Sequence, residues 1–167
     1  MKRLVIIFMI ISPACGDMSF FIRDDLKVTG NGKILIGDFS SRDMSYDPFL
    51  ADELRDRLRF TLFSNGYDVQ IVEDDVDKKR LNHTSDIAAL CNSNGCDVFI
   101  TGVVSRKEVI SITDRKVYLS VSFVIMDRNG KVKGEGSYID CNVDAPEFIK
   151  DAAESFVSEF TKQVRGE

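Results

Sequence analysis

Between Lys116 and Met126 the chain reads KVYLSVSFVIM, in which apolar and small polar residues largely alternate. Successive side chains of a strand point to opposite faces, so Val117, Leu119, Val121, Phe123 and Ile125 share one face and Tyr118, Ser120 and Ser122 the other. A strand apolar on one side only belongs to an antiparallel sheet with one face packed. It runs into Asp127-Arg128-Asn129-Gly130, where Asn-Gly tolerates positive φ, and Lys131 to Asp140 is expected to return as its hairpin partner. Gly134 and Gly136 in that return predict a bulge or the close approach of another group.

Upstream the periodicity is different. KILIGDF (33–39) and DVFITGVV (97–104) are apolar through their centres, as strands covered on both sides are, while YDVQIVE (67–73) alternates. Helical spacing separates them. Asp47-Pro48 has the form of a cap and first turn, followed by Leu50, Leu54, Leu58 and Leu62, with Asn65-Gly66 as the stop. Ser85 is placed to cap a shorter helix over 86–92, with Ile87, Ala88 and Leu90 inward. At the end, Asp144-Ala145-Pro146-Glu147 resembles a capping box before the stripe Phe148, Ile149, Ala152, Phe156, Phe160 and Val164. The expected order is β-α-β-α-β-β-β-α: an α/β (α+β) domain with helices packed on a mixed parallel and antiparallel sheet over 33–167.

The first residues read as an export signal. Lys2 and Arg3 precede the apolar run Leu4–Ile11, whose eight residues would rise only ~12 Å as a helix, too short to span a bilayer. Removal of 1–14 takes the formal charge from −5 to −7. That sign argues against nucleic-acid binding, which needs a basic face. Residues 15–32 show no sustained period and end in Gly30-Asn31-Gly32, so they are expected to be a tether, with Phe20, Phe21 and Ile22 as an apolar cluster available to a partner.

Two resemblances sharpen this reading. Ser12-Pro13-Ala14-Cys15 resembles a bacterial lipobox of the relaxed, spirochaete-like kind, with Ser12 where Leu is usual; it implies diacylglycerol on Cys15. Gly16 after that Cys, by resemblance to known sorting rules, implies the outer membrane. The segments ILIGDFS (34–40), LADELRDRLRFTLFSNGYDVQIVE (50–73), DIAALCNSNGCDVFITGVV (86–104) and LSVSFVIMDRNGKVKGEGSY (119–138) resemble the envelope lipoprotein domains of the CsgG, LpoB and TolB amino-terminal group. The resemblance implies a non-catalytic accessory or assembly factor of the cell envelope that binds another envelope protein. Candidate contacts are Phe20, Phe21, Ile22 and the hairpin turn Asp127, Arg128, Asn129 and Gly130. Self-association stays open.

Chemistry is sparse by comparison. Cys91 and Cys96 flank Asn92-Ser93-Asn94-Gly95, a turn that brings two sulfurs within reach in an oxidising compartment, which would leave Cys141 over. Three Cys and the distant His83 lack the paired spacings of a zinc site, and no metal or cofactor is expected. Glu73, Asp74, Asp75 and Asp77 lack the ligand order of a calcium loop. An enzyme or small-ligand carrier would have to use a cleft around Cys91, Cys96 and His83, and a host-directed surface lipoprotein is the other alternative.

Overall fold

The computed structural model describes residues 15–26, 28, 32–42, 49–72, 84–110 and 115–166. Six strands form one sheet: β1 (Asp17–Ile22), β2 (Lys33–Arg42), β3 (Asp68–Ile71), β4 (Val98–Ile110), β5 (Arg115–Asp127) and β6 (Val132–Cys141). Three helices join them: α1 (Leu50–Ser64), α2 (Thr84–Asn94) and α3 (Ala145–Arg165). Across the sheet the order is β1-β6-β5-β4-β2-β3. β2 pairs in parallel with β3 and β4, and every other pairing is antiparallel, so the mixed sheet expected from the sequence is present.

The principal core lies between one sheet face and the helices α1 and α3. Leu50, Leu54, Leu58 and Leu62 of α1 and Phe148, Ala152, Phe156 and Phe160 of α3 are fully or almost fully buried against Ile34, Ile36, Ile100, Val121, Phe123 and Ile125. Phe156 is its hub, with ring centroids 4.3 Å from Phe123, 5.3 Å from Phe20 and 5.8 Å from Phe160. Asp144 caps α3 as expected, its Oδ1 accepting from the Glu147 amide at 2.9 Å. The Asp47-Pro48 start expected for α1 lies outside the described residues, as do His83 and the acidic run 73–77.

One expectation is corrected. Residues 15–32 are not simply a tether, because Asp17–Ile22 adds a sixth strand at the sheet edge, running antiparallel to β6 from Asp17↔Ile139 to Ile22↔Gly134. Gly134 and Gly136 are the reason it fits. A Cβ on Gly136 would stand 2.7 Å from Phe20 Cδ2, and one on Gly134 would stand 2.8 Å from the Phe21 carbonyl oxygen. The two glycines therefore make the close approach that the sequence predicts, and the group approaching is β1 itself.

Candidate functional site

The second sheet face is only half covered. Over β2 and β4 sits α2, whose Ile87 and Cys91 pack with Leu35, Val72, Cys96 and Phe99 in a second, smaller core. A disulfide between Cys91 and Cys96, Cα atoms 4.8 Å apart, ties the end of α2 to the start of β4, as their spacing suggests. Both residues are buried, and neither sulfur is a thiol, so they supply no nucleophile for a cleft.

Over β5, β6 and β1 no described helix lies on this face, and the strands line an open groove of about 650 Å³. Cross-strand register builds its floor. Phe21, Glu135 and Val124 form one row, and Ser19, Ser137 and Ser122 the next. Phe21 is 65% exposed and Val132, at the same end, 47% exposed. Arg23 and Lys133 line that end too; Lys133 Nζ is held by Asp25 at 2.5 Å, which keeps the Asp25 carboxyl below the usual range. The floor is thus apolar at one corner, hydroxyl-bearing along its middle and charged at its rim.

The sequence-derived contact residues fare differently. Phe21 faces the groove, whereas Phe20 meets Phe156 edge-on and Ile22 is buried in the principal core, its amide donating to Gln163 Oε1 at 2.7 Å. Alternation along β1 separates them, since only every second residue faces out. Asp127–Gly130 is a braced turn. Asp127 Oδ1 accepts from the amides of Asn129 (2.9 Å) and Lys131 (3.0 Å), and a Cβ on Gly130 would meet the Thr84 carbonyl oxygen at 2.4 Å. Arg128 and Asn129 are exposed at its tip. Sequence reasoning missed Ser19, Ser122, Val124, Glu135 and Ser137; the polar side of the KVYLSVSFVIM alternation was the signal that could have found two of them.

A second hollow, of about 450 Å³, lies where β2 bulges, lined by Asp38, Asp52, Ile87 and Thr101 among others. Its carboxylates share one cation: Arg55 Nη1 reaches Asp38 Oδ1 at 2.5 Å and Nη2 reaches Asp52 Oδ1 at 3.2 Å. The arrangement braces the bulge against α1 and leaves neither acid as a lone base.

At the opposite end of the sheet from the hairpin turn, Cys15 is bonded to Cys141, their Cα atoms 5.4 Å apart. This corrects the expectation that Cys141 is left over. The residues meet because the Gly16 amide donates to the Ile139 carbonyl at 2.9 Å and Asp17 stands opposite Ile139, which carries Cys15 to the end of β6. Asp140 adds a carboxylate within 4.8 Å of both sulfurs, but sulfurs joined to each other are not metal ligands. Among the described residues no helix is long and apolar enough to cross a membrane.

No protein-family pattern matches the chain, and no curated protein matches it in sequence. Solved structures do match in shape. The PelC dodecamer from Paraburkholderia phytofirmans superposes with a TM-score of 0.58 at 12% identity, over 89% of this chain and 96% of that one. Lipoprotein GNA1162 from Neisseria meningitidis gives 0.52 at 19% identity, over 81% and 99%. The likeness is one of fold. An LpoB C-terminal domain from Salmonella enterica reaches 0.49 at 15% identity, over 70% and 86%.

Proposed function

We propose that this chain is a non-catalytic lipoprotein of the bacterial cell envelope, anchored by acyl chains on Cys15, whose half-open sheet face binds another envelope protein in an accessory or assembly role. The observation that carries it is the groove over β5, β6 and β1, with Phe21 exposed at its corner while the strand aromatics Phe39, Phe99, Phe123 and Tyr138 are buried. Exposed apolar surface rimmed by charge is characteristic of protein contact. Catalysis finds less support, because the groove's hydroxyls belong to serines with no His or Cys among its described lining. The alternative cleft would need thiols that the Cys91–Cys96 bond removes.

The lipoprotein half of the proposal rests on the leader and on Ser12–Cys15. One sulfur cannot hold both a thioether and a disulfide, so the Cys15–Cys141 bond is read as the oxidised form of the chain before acylation. The GNA1162 structure is that of a lipoprotein of the same fold, which supports the envelope reading. Outer-membrane residence follows from Gly16 alone. PelC is a dodecamer, which favours self-association as the second form of partner.

A photo-cross-linking residue placed at Phe21 in living cells tests the groove, with one at Phe60, exposed on α1, as the control. The expected result is one dominant adduct from position 21 that is absent from position 60. Equal, diffuse labelling from both positions would remove the groove as a binding site.

A further inference from the structure

The charges around the groove answer one another, with one exception. Lys133 Nζ lies 2.5 Å from Asp25 Oδ2 and 3.8 Å from Asp127 Oδ2, and Arg23 Nε lies 3.4 Å from Asp25 Oδ1. Two cations therefore face two acids. Glu135 is left over. It is exposed, it is the one acid of the described lining, and its side chain makes no ion pair or hydrogen bond among the described residues. Lys133, two residues away along the same face of β6, is taken up by Asp25 and Asp127, its side chain only 14% exposed.

Glu135 also stands in apolar company. Its register partners are Phe21 on β1 and Val124 on β5, so an exposed ring lies on one side of it and a half-buried valine on the other, with Val132 at the same end. Directly opposed residues on neighbouring strands hold their Cβ atoms ~4.5–5.5 Å apart. A single flat cation can thus lie on the Phe21 ring and reach the Glu135 carboxylate at once. Ser19, Ser137 and Ser122 form the next row, ~7 Å along the strands, and offer hydroxyls to further donors.

We infer that the groove recognises an arginine side chain set among apolar residues on the surface of the envelope partner. The inference rests on the proposal that this groove binds such a partner, and it names the chemistry of the contact. Guanidinium suits the site better than ammonium. Its plane stacks on an aromatic face and its fork donates two parallel hydrogen bonds to one carboxylate, whereas an ammonium is a strongly hydrated point charge. An ion pair left open to water contributes little. Here the partner's apolar residues cover Phe21, Val124 and Val132 and exclude water from the pair, so the apolar and charged contacts strengthen each other.

A photo-cross-linking residue at Val132, which lines the groove and leaves Phe21 and Glu135 in place, reads the contact in living cells with the full chain. Glu135→Gln removes the charge and keeps the shape, and Glu53→Gln, on the exposed side of α1, is the control. Both side chains are exposed, so both variants should accumulate to the native level. The expected result is an adduct that falls several-fold in yield with Glu135→Gln, is unchanged by Glu53→Gln, and has an arginine in its cross-linked segment. Replacing that arginine by glutamine should lower the yield as well, and the two changes together should cost less than the product of their separate losses, as for a coupled pair. A yield indifferent to Glu135→Gln, or a cross-linked segment with a lysine or no cation, would overturn the inference and leave the groove as an apolar binding site. An adduct between two copies would overturn it in favour of self-association. Labelling at Val132 no different from that at Phe60 would remove the groove and the inference together.

Discussion

At the scale of single residues, the Cys15 sulfur decides more than any other atom. If it is acylated, Cys141 is a thiol; if it is bonded to Cys141, there is no anchor. Intact-mass measurement of protein from bacterial membranes, with thiol alkylation before and after reduction, separates the two. The expected outcome is an acyl mass on Cys15, Cys141 alkylated without reductant, and Cys91 and Cys96 alkylated only after reduction. The opposite result would make the Cys15–Cys141 bond a lasting clasp over a sequence separation of 126, stabilising by about 5 kcal/mol on loop entropy alone. Tyr138 gives a residue-scale prediction of another kind. Burial, then the charge and hydrogen bond of Asp140 at 3.2 Å, push its phenol up to about 12 from 10. The folded chain therefore holds that proton more tightly than the unfolded one. Its contribution is intact below pH ~10 and is lost as pH rises from there through about 12. Chemical denaturation at pH 8 and 11 should show the loss, and Tyr138→Phe should make the two closer to equal. The Cys91–Cys96 pair was legible from spacing; the Cys15–Cys141 pair was not, since nothing local announces a partner 126 residues away.

Among the elements, those with strong internal periodicity were legible and the one whose neighbours define it was not. The KVYLSVSFVIM alternation, the leucines of α1 and the capped phenylalanine stripe of α3 each carry their own geometry. β1 does not, because Phe20-Phe21-Ile22 breaks alternation with an exposed Phe21, and its seat is written in Gly134 and Gly136 of a distant strand. That dependence can be tested. Gly136→Val puts branched bulk where a Cβ already lies 2.7 Å from Phe20, and should destabilise the fold by about 2–3 kcal/mol. Hydrogen exchange should show amide protection lost first over 17–22. Unchanged protection there would mean that β1 holds without the glycine floor.

For the molecule as a whole, the class of fold followed from element order, but the arrangement of its faces did not. Whether the second face is covered depends on where α2 lands, and this 11-residue helix covers β2 and β4 but meets β5 and β6 only at their hairpin end, at Met126 and Gly130. The groove is the remainder of that coverage, so no motif marks it. Charge placement was equally hidden in the total: the β4–β5 register brings Arg106, Lys107, Arg115 and Lys116, from two separate stretches of an acidic chain, to one end of the sheet.

The start of β1 only two residues after Cys15 has a consequence for geography. An anchored protein with a long leash can search outward, whereas this one, once acylated on Cys15, would be moored. From the Tyr118 row beside Cys141 to the Val124 row of the groove is six residues, or ~20 Å, and the whole of β5 measures only ~45 Å. Its encounters would then be confined to a layer one small domain deep, and a partner must come to the bilayer to be met.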